Sequence, residues 1–379
     1  MTFNPEGKIR IIKKEERKEI PPEYIKNAES ALRNFVAVKS EERALFLVDS
    51  KTNPETLEIL KQAVDKIGSE WQEILINDYT KREDINNLLK EVEVVINVTG
   101  EGHEATGEVY DDIKEYGNRM VALYEAEPDI FSKNGTLSEN FQELQERLNR
   151  MEAVLKEAVG FHITSRYGTD LKVGLPSFHS RRWAKETGLI DQPGQWDNMP
   201  SGEVYTTPQE NNVNGILVLP ALETDISYEQ GVDELVRLII KDGVIINISG
   251  GRSAEKMRKY LEKKAGKQIE EGDNVWNVFR ISEIGFGANS KARYIVKEED
   301  PGAPATPTVE AEKRFGTMHL AFGDSKHGEE GVEGLEEAVS HLDFVLPRTA
   351  LTVEMFRNEN DFKKGKNGKK IFNDGGVNF

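Results

Sequence analysis

Apolar and polar positions divide the chain into two textures. Residues 1–40 are a polar lead-in with one helical stretch, PPEYIKNAESALRNFV. Short apolar runs then alternate with amphipathic segments. ALFLVDS (44–50), EILINDY (73–79), VVINVTG (94–100) and MVALYEA (120–126) have the length and composition of buried strands. Between the first three, PETLEILKQAVDKIG and REDINNLLKEV carry apolar residues at helical spacing. Strands and helices in this rhythm predict a parallel sheet with crossover helices, an α/β domain of the doubly wound type. The first strand is not followed by G-x-G-x-x-G, so the dinucleotide fingerprint is missing.

From Ser138 onward, ENFQELQERLNRMEAVLKEAV predicts one long amphipathic helix that connects to the second texture. That texture is richer in strands: GFHITSRYG, TDLKVGLP, GILVLPA and LVRLIIKDGVIINISGG. Asp242-Gly243 between two β-branched runs predicts a hairpin. One helix, SAEKMRKYLEKKAG, interrupts before further strands, and PGAPATP (301–307) reads as an exposed loop. The expected division is an N-terminal α/β domain over residues 1–159, with a doubly wound parallel sheet. A C-terminal mixed α/β domain over 160–379 would carry the chemistry.

Composition narrows the partners. A formal net charge of −17 over 379 residues repels nucleic acid and anionic membrane, so neither is expected. The chain has no cysteine, which removes disulfides, thiolate metal sites and cysteine nucleophiles. Any metal must then be held by nitrogen and oxygen. The opening MTFNPEGKIRIIKK lacks a signal-peptide apolar region and no apolar run reaches bilayer-spanning length, so a cytoplasmic location is expected.

Candidate chemistry concentrates in residues 316–343, GTMHLAFGDSKHGEEGVEGLEEAVSHLD. This window holds His319, His327 and His341, three of the six histidines, and ends in the pair His341-x-Asp343. A strand's period of two puts His341 and Asp343 on one face, where imidazole and carboxylate can grip one cation. Two glutamates in β-favouring settings add to them: Glu203 in NMPSGEVYTTP and Glu283 in SEIGFGAN. A carboxylate inside an apolar strand is costly unless paired or metal-bound; each is also compatible with a strand end facing water. His162, His179 and His103 read as core, surface or loop residues. Trp196 and Tyr205 fit either an apolar pocket wall or packing. Ser201 with His341 and Asp343 lacks the G-x-S-x-G elbow of a serine hydrolase.

These stretches, with TSRYGTDLKV (164–173), GTMHLAFGD (316–324) and HLDFV (341–345), make residues 160–355 resemble the thermophilic metallo-aminopeptidase (aminopeptidase T) family. The resemblance implies two divalent ions per chain (zinc, cobalt or manganese) held by Glu203, Glu283, His319, His341 and Asp343. It implies a shared hydroxide that attacks an amide carbonyl, peptide or amide substrates, and a homodimer. One departure matters. The family carries a tyrosine shortly after the G-T-x-H histidine, where this chain has Asp324-Ser325-Lys326-His327 and no tyrosine beyond Tyr294. Lys326 or His327 is the candidate oxyanion stabiliser in its stead, or both simply decorate a loop.

PGQWDNMPSG, the SEIGFG run and HLD are also similar to 2,5-dihydroxypyridine dioxygenase, which opens an aromatic ring with a single Fe(II). That resemblance implies a histidine at the position of Glu283 and no counterpart of Glu203 or His319. With both carboxylates present, the sequence favours a metallo-aminopeptidase-like hydrolase. The alternatives are a mononuclear Fe(II) ring-cleaving dioxygenase or a catalytically inactive metal-binding relative.

Overall fold

The computed structural model describes residues 19–100, 109–124, 126–176, 181–219, 235–293, 308–326, 331–334, 337–346 and 351–379. His103, His179, His327 and the PGAPATP stretch lie outside the described residues.

The first half builds a parallel sheet from β1 (Arg43–Val48), β2 (Glu70–Leu75), β3 (Val94–Asn97) and β4 (Arg119–Ala122) in the order β2-β1-β3-β4. Helices α1 (Pro22–Asn34) and α2 (Pro54–Ile67) cover one face, and α3 (Arg82–Leu89) and α4 (Val109–Tyr116) the other. β1 shows why both faces are needed. Ala44, Phe46 and Val48 point into the core beneath α1 and α2, while Leu45 and Leu47 join Ile85, Leu89 and Ile113 opposite. A side chain such as Phe46, fully buried, contributes about 1.5–3 kcal/mol by leaving water. Local signals set the ends of α2. The Asn53 side chain accepts from the Glu55 and Thr56 amides, and Gly68 closes the helix at φ 86°. The sheet is doubly wound, as its sequence pattern predicts.

One strand sits earlier than its apolar run predicts. EILINDY (73–79) is realised as Glu70–Leu75 because the chain turns at Asn77, whose side-chain oxygen accepts from the Tyr79 amide at 2.9 Å. That side chain offers the backbone an alternative to the ladder.

After α5 (Phe141–Leu155) the strands become antiparallel. The second sheet runs β12-β11-β10-β6-β5-β16-β17-β18. Its members are β5 (Gly160–Ser165), β6 (Asp170–Gly174), β10 (Val213–Leu219), β11 (Val236–Lys241), β12 (Val244–Ser249), β16 (Leu351–Phe356), β17 (Lys369–Asn373) and β18 (Gly376–Val377). Asp242 and Gly243 make the hairpin between β11 and β12, both at positive φ (50° and 79°). α6 (Arg252–Glu271) follows.

The third sheet carries the chemistry. Its order is β15-β14-β13-β9-β7, from β7 (Ala184–Glu186), β9 (Glu203–Thr206), β13 (Ile281–Gly287), β14 (Met318–Gly323) and β15 (His341–Leu346). β8 (Trp196–Asn198) pairs in parallel with β4, so the first sheet gains a strand from beyond residue 160. The chain then passes from one sheet to another between Asn198 and Glu203. The cleft between them lies at the carboxyl ends of β4 and β8, where open α/β sheets bind ligands. Among the described residues, no helix is long and apolar enough to cross a membrane.

Candidate metal centre

Register, more than sequence spacing, assembles the site. On the third sheet Glu203 pairs with Gly287, Gly285 with His319, Ala321 with both Glu283 and Asp343, and Gly323 with His341. Alternation therefore points Glu203, Glu283, His319, His341 and Asp343 to one face. The small residues Gly285, Gly287, Ala321 and Gly323 leave room for them there. Gly285 is needed where it stands: a Cβ would lie 2.1 Å from His319 Cε1. The other face holds Ile284, Phe286, Leu320, Phe322 and Phe344, all buried in the core.

The predicted donors do come together. His319 Nε2 lies 2.8 Å from Glu283 Oε1 and 3.2 Å from Glu203 Oε2. His341 Nε2 lies 3.4 Å from Asp343 Oδ2 and 3.6 Å from Glu283 Oε2. Two sets of atoms are close enough to hold an ion: Glu203 with Glu283 and His319, and Glu312 with His319 and Asp343. His341 Nδ1 is 2.8 Å from the Asp324 carbonyl; by donating to it, the ring presents Nε2 to the cluster. Lys326 is exposed on the wall of the same pocket. His162 bonds Asp170 at 2.7 Å on the second sheet and does not line the cleft.

Three further residues belong to the cluster. Lys313, at the end of α7 (Thr308–Lys313), is buried, and its Nζ contacts Glu186, Glu203 at 2.8 Å and Glu312 at 2.9 Å. Glu310 pins α7 by accepting from Arg293 Nε and Nη2, each at 2.7 Å. In the sequence, EAEKR reads as a solvated charged run, and no spacing rule connects Glu186 to it.

Burial and crowded charge govern protonation. Loss of solvent pushes Glu203 up to about 8, against the opposing pull of Lys313 and His319. The same cause lifts Glu312 to about 7. Asp197 is raised by burial and by Glu186 beside it. Burial alone would lower His319, but Glu203, Glu283 and Glu312 outweigh it and raise the imidazole to about 10. Partial desolvation would lower His341, whose side chain keeps about a third of its surface exposed, but the pull of Asp343 and Glu283 outweighs it and the imidazole also rises. The cluster thus retains protons wherever it lacks another cation.

The donors fit a divalent ion. Asp343 Oδ1 and Glu203 Oε2 are buried, and among the described residues neither accepts a hydrogen bond. Buried oxygens of this kind ask for a partner, and carboxylate oxygen with imidazole nitrogen is a donor set for such an ion. The pocket around them, about 370 Å³, is walled by Tyr110, Tyr124, Trp196 and Tyr205. Tyr110 and Trp196 meet edge to face at 4.4 Å. A larger cavity of about 450 Å³ beside Arg181, Arg182 and Trp183 contains none of the donors.

Fold and site together define a cleft between sheets with a face of carboxylates and imidazoles that could hold a metal ion. The sequence profile of 2,5-dihydroxypyridine 5,6-dioxygenase matches residues 25–355, so the chain belongs to that family. The 2,5-dihydroxypyridine 5,6-dioxygenase of Pseudomonas putida is 30% identical over 243 residues, covering 60% of this chain and 64% of that protein. Aminopeptidase AmpS of Bacillus subtilis is 24% identical over 190 residues, 49% of this chain and 43% of that one. Both sequence matches thus span less than two thirds of the relative. Two solved structures share the fold. The P. putida dioxygenase superposes with a TM-score of 0.67 at 20% identity, covering 93% of this chain and 96% of that one. Wild-type AmpT from Thermus thermophilus gives 0.61 at 14% identity, covering 94% and 98%. The two structures show that this chain, the dioxygenase and AmpT share one fold.

Proposed function

We propose that the protein is a metal-dependent hydrolase of amide bonds, with removal of N-terminal residues from small peptides as the lead activity. The observation that carries this reading is Glu283. Its two oxygens lie 2.8 Å from His319 Nε2 and 3.6 Å from His341 Nε2, so a carboxylate stands between the imidazoles. An oxygen-rich, anionic donor set of this kind suits zinc, cobalt or manganese. A divalent ion held there supplies Lewis acidity for the carbonyl and lowers the pKa of a water.

The chain's own groups supply the remaining steps. Burial pushes Glu203 up to about 8, so its carboxyl exchanges a proton near neutral pH. In its ionised form Glu203 can accept a proton from the attacking water at Oε2, which faces the cluster, and return it to the leaving nitrogen. Trp196 and Tyr205 offer an apolar wall for a substrate side chain. Lys326 places a cation at the rim for a developing oxyanion.

A second reading rests on the family match and on the His341–Asp343 pair, to which His319 adds a second imidazole although the dioxygenase resemblance gives that position no counterpart. That set suits a single Fe(II) acting on a dihydroxypyridine-like ring. One experiment separates the two. Protein loaded with zinc, cobalt or manganese is offered aminoacyl amides and dipeptides; protein loaded anaerobically with Fe(II) is offered 2,5-dihydroxypyridine and oxygen. Metal-dependent amine release supports the hydrolase. Ring opening with oxygen uptake at enzymatic rates refutes it in favour of the dioxygenase.

A further inference from the structure

Lys313 stands inside the cluster, its ammonium among carboxylates that are also candidate metal donors. Its side chain is 1% exposed, and Nζ reaches Glu186, Glu203 at 2.8 Å and Glu312 at 2.9 Å. Three carboxylates surround its three N–H donors, and Glu203 Oε1 accepts one of them at 2.8 Å. The group is not free to swing away. The Lys313 carbonyl accepts from the Asn289 amide at 2.7 Å, and α7 is fastened by the Glu310–Arg293 contacts.

Two of the acids on Lys313 are also the ones a second ion would need. Of the two possible donor sets, one contains Glu203 and the other Glu312, and both draw on the single ring of His319. Separating two ions would place one of them against Glu203 or Glu312, beside a fixed positive charge in a water-poor setting. Like charges repel strongly there. Glu283, His341 and Asp343 instead face one another across the sheet, with His341 Nε2 at 3.6 Å and 3.4 Å from the two acids.

We infer that Lys313 is the protein's built-in second cation: its ammonium takes the place and charge of a second divalent ion among Glu186, Glu203 and Glu312. The chain then binds one divalent ion, drawing on Glu283 and His319 from one donor set and Asp343 from the other with His341 beside them, in contrast to the two that the aminopeptidase resemblance implies. The inference rests on the metal-dependent reading above. It also gives Glu203 a division of labour. Oε1 is held by Lys313 while Oε2, 3.2 Å from His319 Nε2, faces the cluster.

The test counts manganese in the full-length protein. Wild type and Lys313→Ala are dialysed to equilibrium against Mn²⁺, assayed by elemental analysis and examined by electron paramagnetic resonance. The expected wild type holds one ion per chain, with the six-line spectrum of isolated Mn²⁺. Lys313→Ala is expected to hold two, with the broadened, exchange-coupled spectrum of neighbouring ions. If the variant does not fold alone, refolding that needs a second equivalent of Mn²⁺ gives the same support. Two coupled ions in the wild type overturn the inference and leave the metal-dependent reading intact. A folded variant that still holds one ion also overturns the inference alone. No bound ion in the wild type overturns both.

Discussion

Gly285→Ala tests whether the His319 ring is placed by the sheet beneath it. A methyl at this position lies 2.1 Å from His319 Cε1 and 2.2 Å from Nε2. Carbon atoms come no closer than about 3.5 Å without repulsion, so the ring must retreat by roughly 1.4 Å. His319 is buried and fixed by Glu283 at 2.8 Å, so the shift overpacks the site. Overpacking of this kind costs about 1–3 kcal/mol. Ligand distances tolerate only about 0.2 Å, so metal affinity suffers more than stability. Even outer-shell disturbances lower affinity by about 10–100-fold, and a displaced ligand is expected to reach at least that. Titration calorimetry with Zn²⁺ measures the affinity, and thermal unfolding in chelator measures the stability of the scaffold. Gly266→Ala in α6 is the control, because a Cβ there meets nothing within 4 Å. It is expected to raise stability by about 0.4–1 kcal/mol and leave affinity alone. Wild-type zinc affinity in Gly285→Ala would refute both the placement of His319 and its role as a ligand.

The remaining expectations use the same cluster. Glu203 rises from 4.5 to about 8 and His319 from 6.5 to about 10, so each binds its proton more tightly in the folded chain. Their contributions are therefore fully present below the unfolded values, then lost as pH rises through about 8 for Glu203 and about 10 for His319. Metal-free protein should melt at lower temperature as pH climbs across that window, while affinity for a divalent ion, which displaces those protons, should grow. A melting temperature that rises with pH in chelator would contradict the assignment. His341→Ala and Asp343→Ala should each lower metal content while the circular dichroism of the fold survives; unchanged metal content in both would remove the pair from the ligand set. Glu283→His should weaken zinc binding and shift preference toward Fe(II), checked by competition dialysis; an unchanged preference would mean that Glu283 does not decide the metal.

The sequence made the doubly wound sheet legible because buried parallel strands are continuous apolar runs, and Leu45 and Leu47 need cover as much as Phe46 does. It also exposed His341 and Asp343, since a period of two is visible in three letters. Glu203, Glu283 and His319 lie far apart in the chain, and it was the resemblance to a known family that joined them. Lys313 was hidden for a physical reason. α7 has six residues, too few to show helical periodicity, and its run of charges resembles a solvated surface. Only the fold shows that Lys313 and Glu312 point inward, opposite Glu186 on a three-residue strand. β8 was equally obscure: Trp196–Asn198 is too short to read as a strand, yet it carries the pocket wall.

The two faces of the third sheet show why this cluster is a functional feature and not a structural one. Ile284, Phe286, Leu320, Phe322 and Phe344 on the buried side supply the packing that holds the strands together. Across the same strands, Glu203, Glu283, Glu312 and Asp343 gather around two imidazoles and one ammonium. Taking carboxylates out of water costs several kcal/mol per ion, and replacing buried ion pairs by apolar side chains of similar volume is often neutral or stabilising. A sheet that already has a complete core on one face gains nothing in stability from assembling acids on the other. The glycines and alanine that clear space for them also give up side-chain packing. Such a local departure from what packing alone would select belongs to sites that bind or react. Here the departure falls on the face that meets the aromatic wall of the cleft.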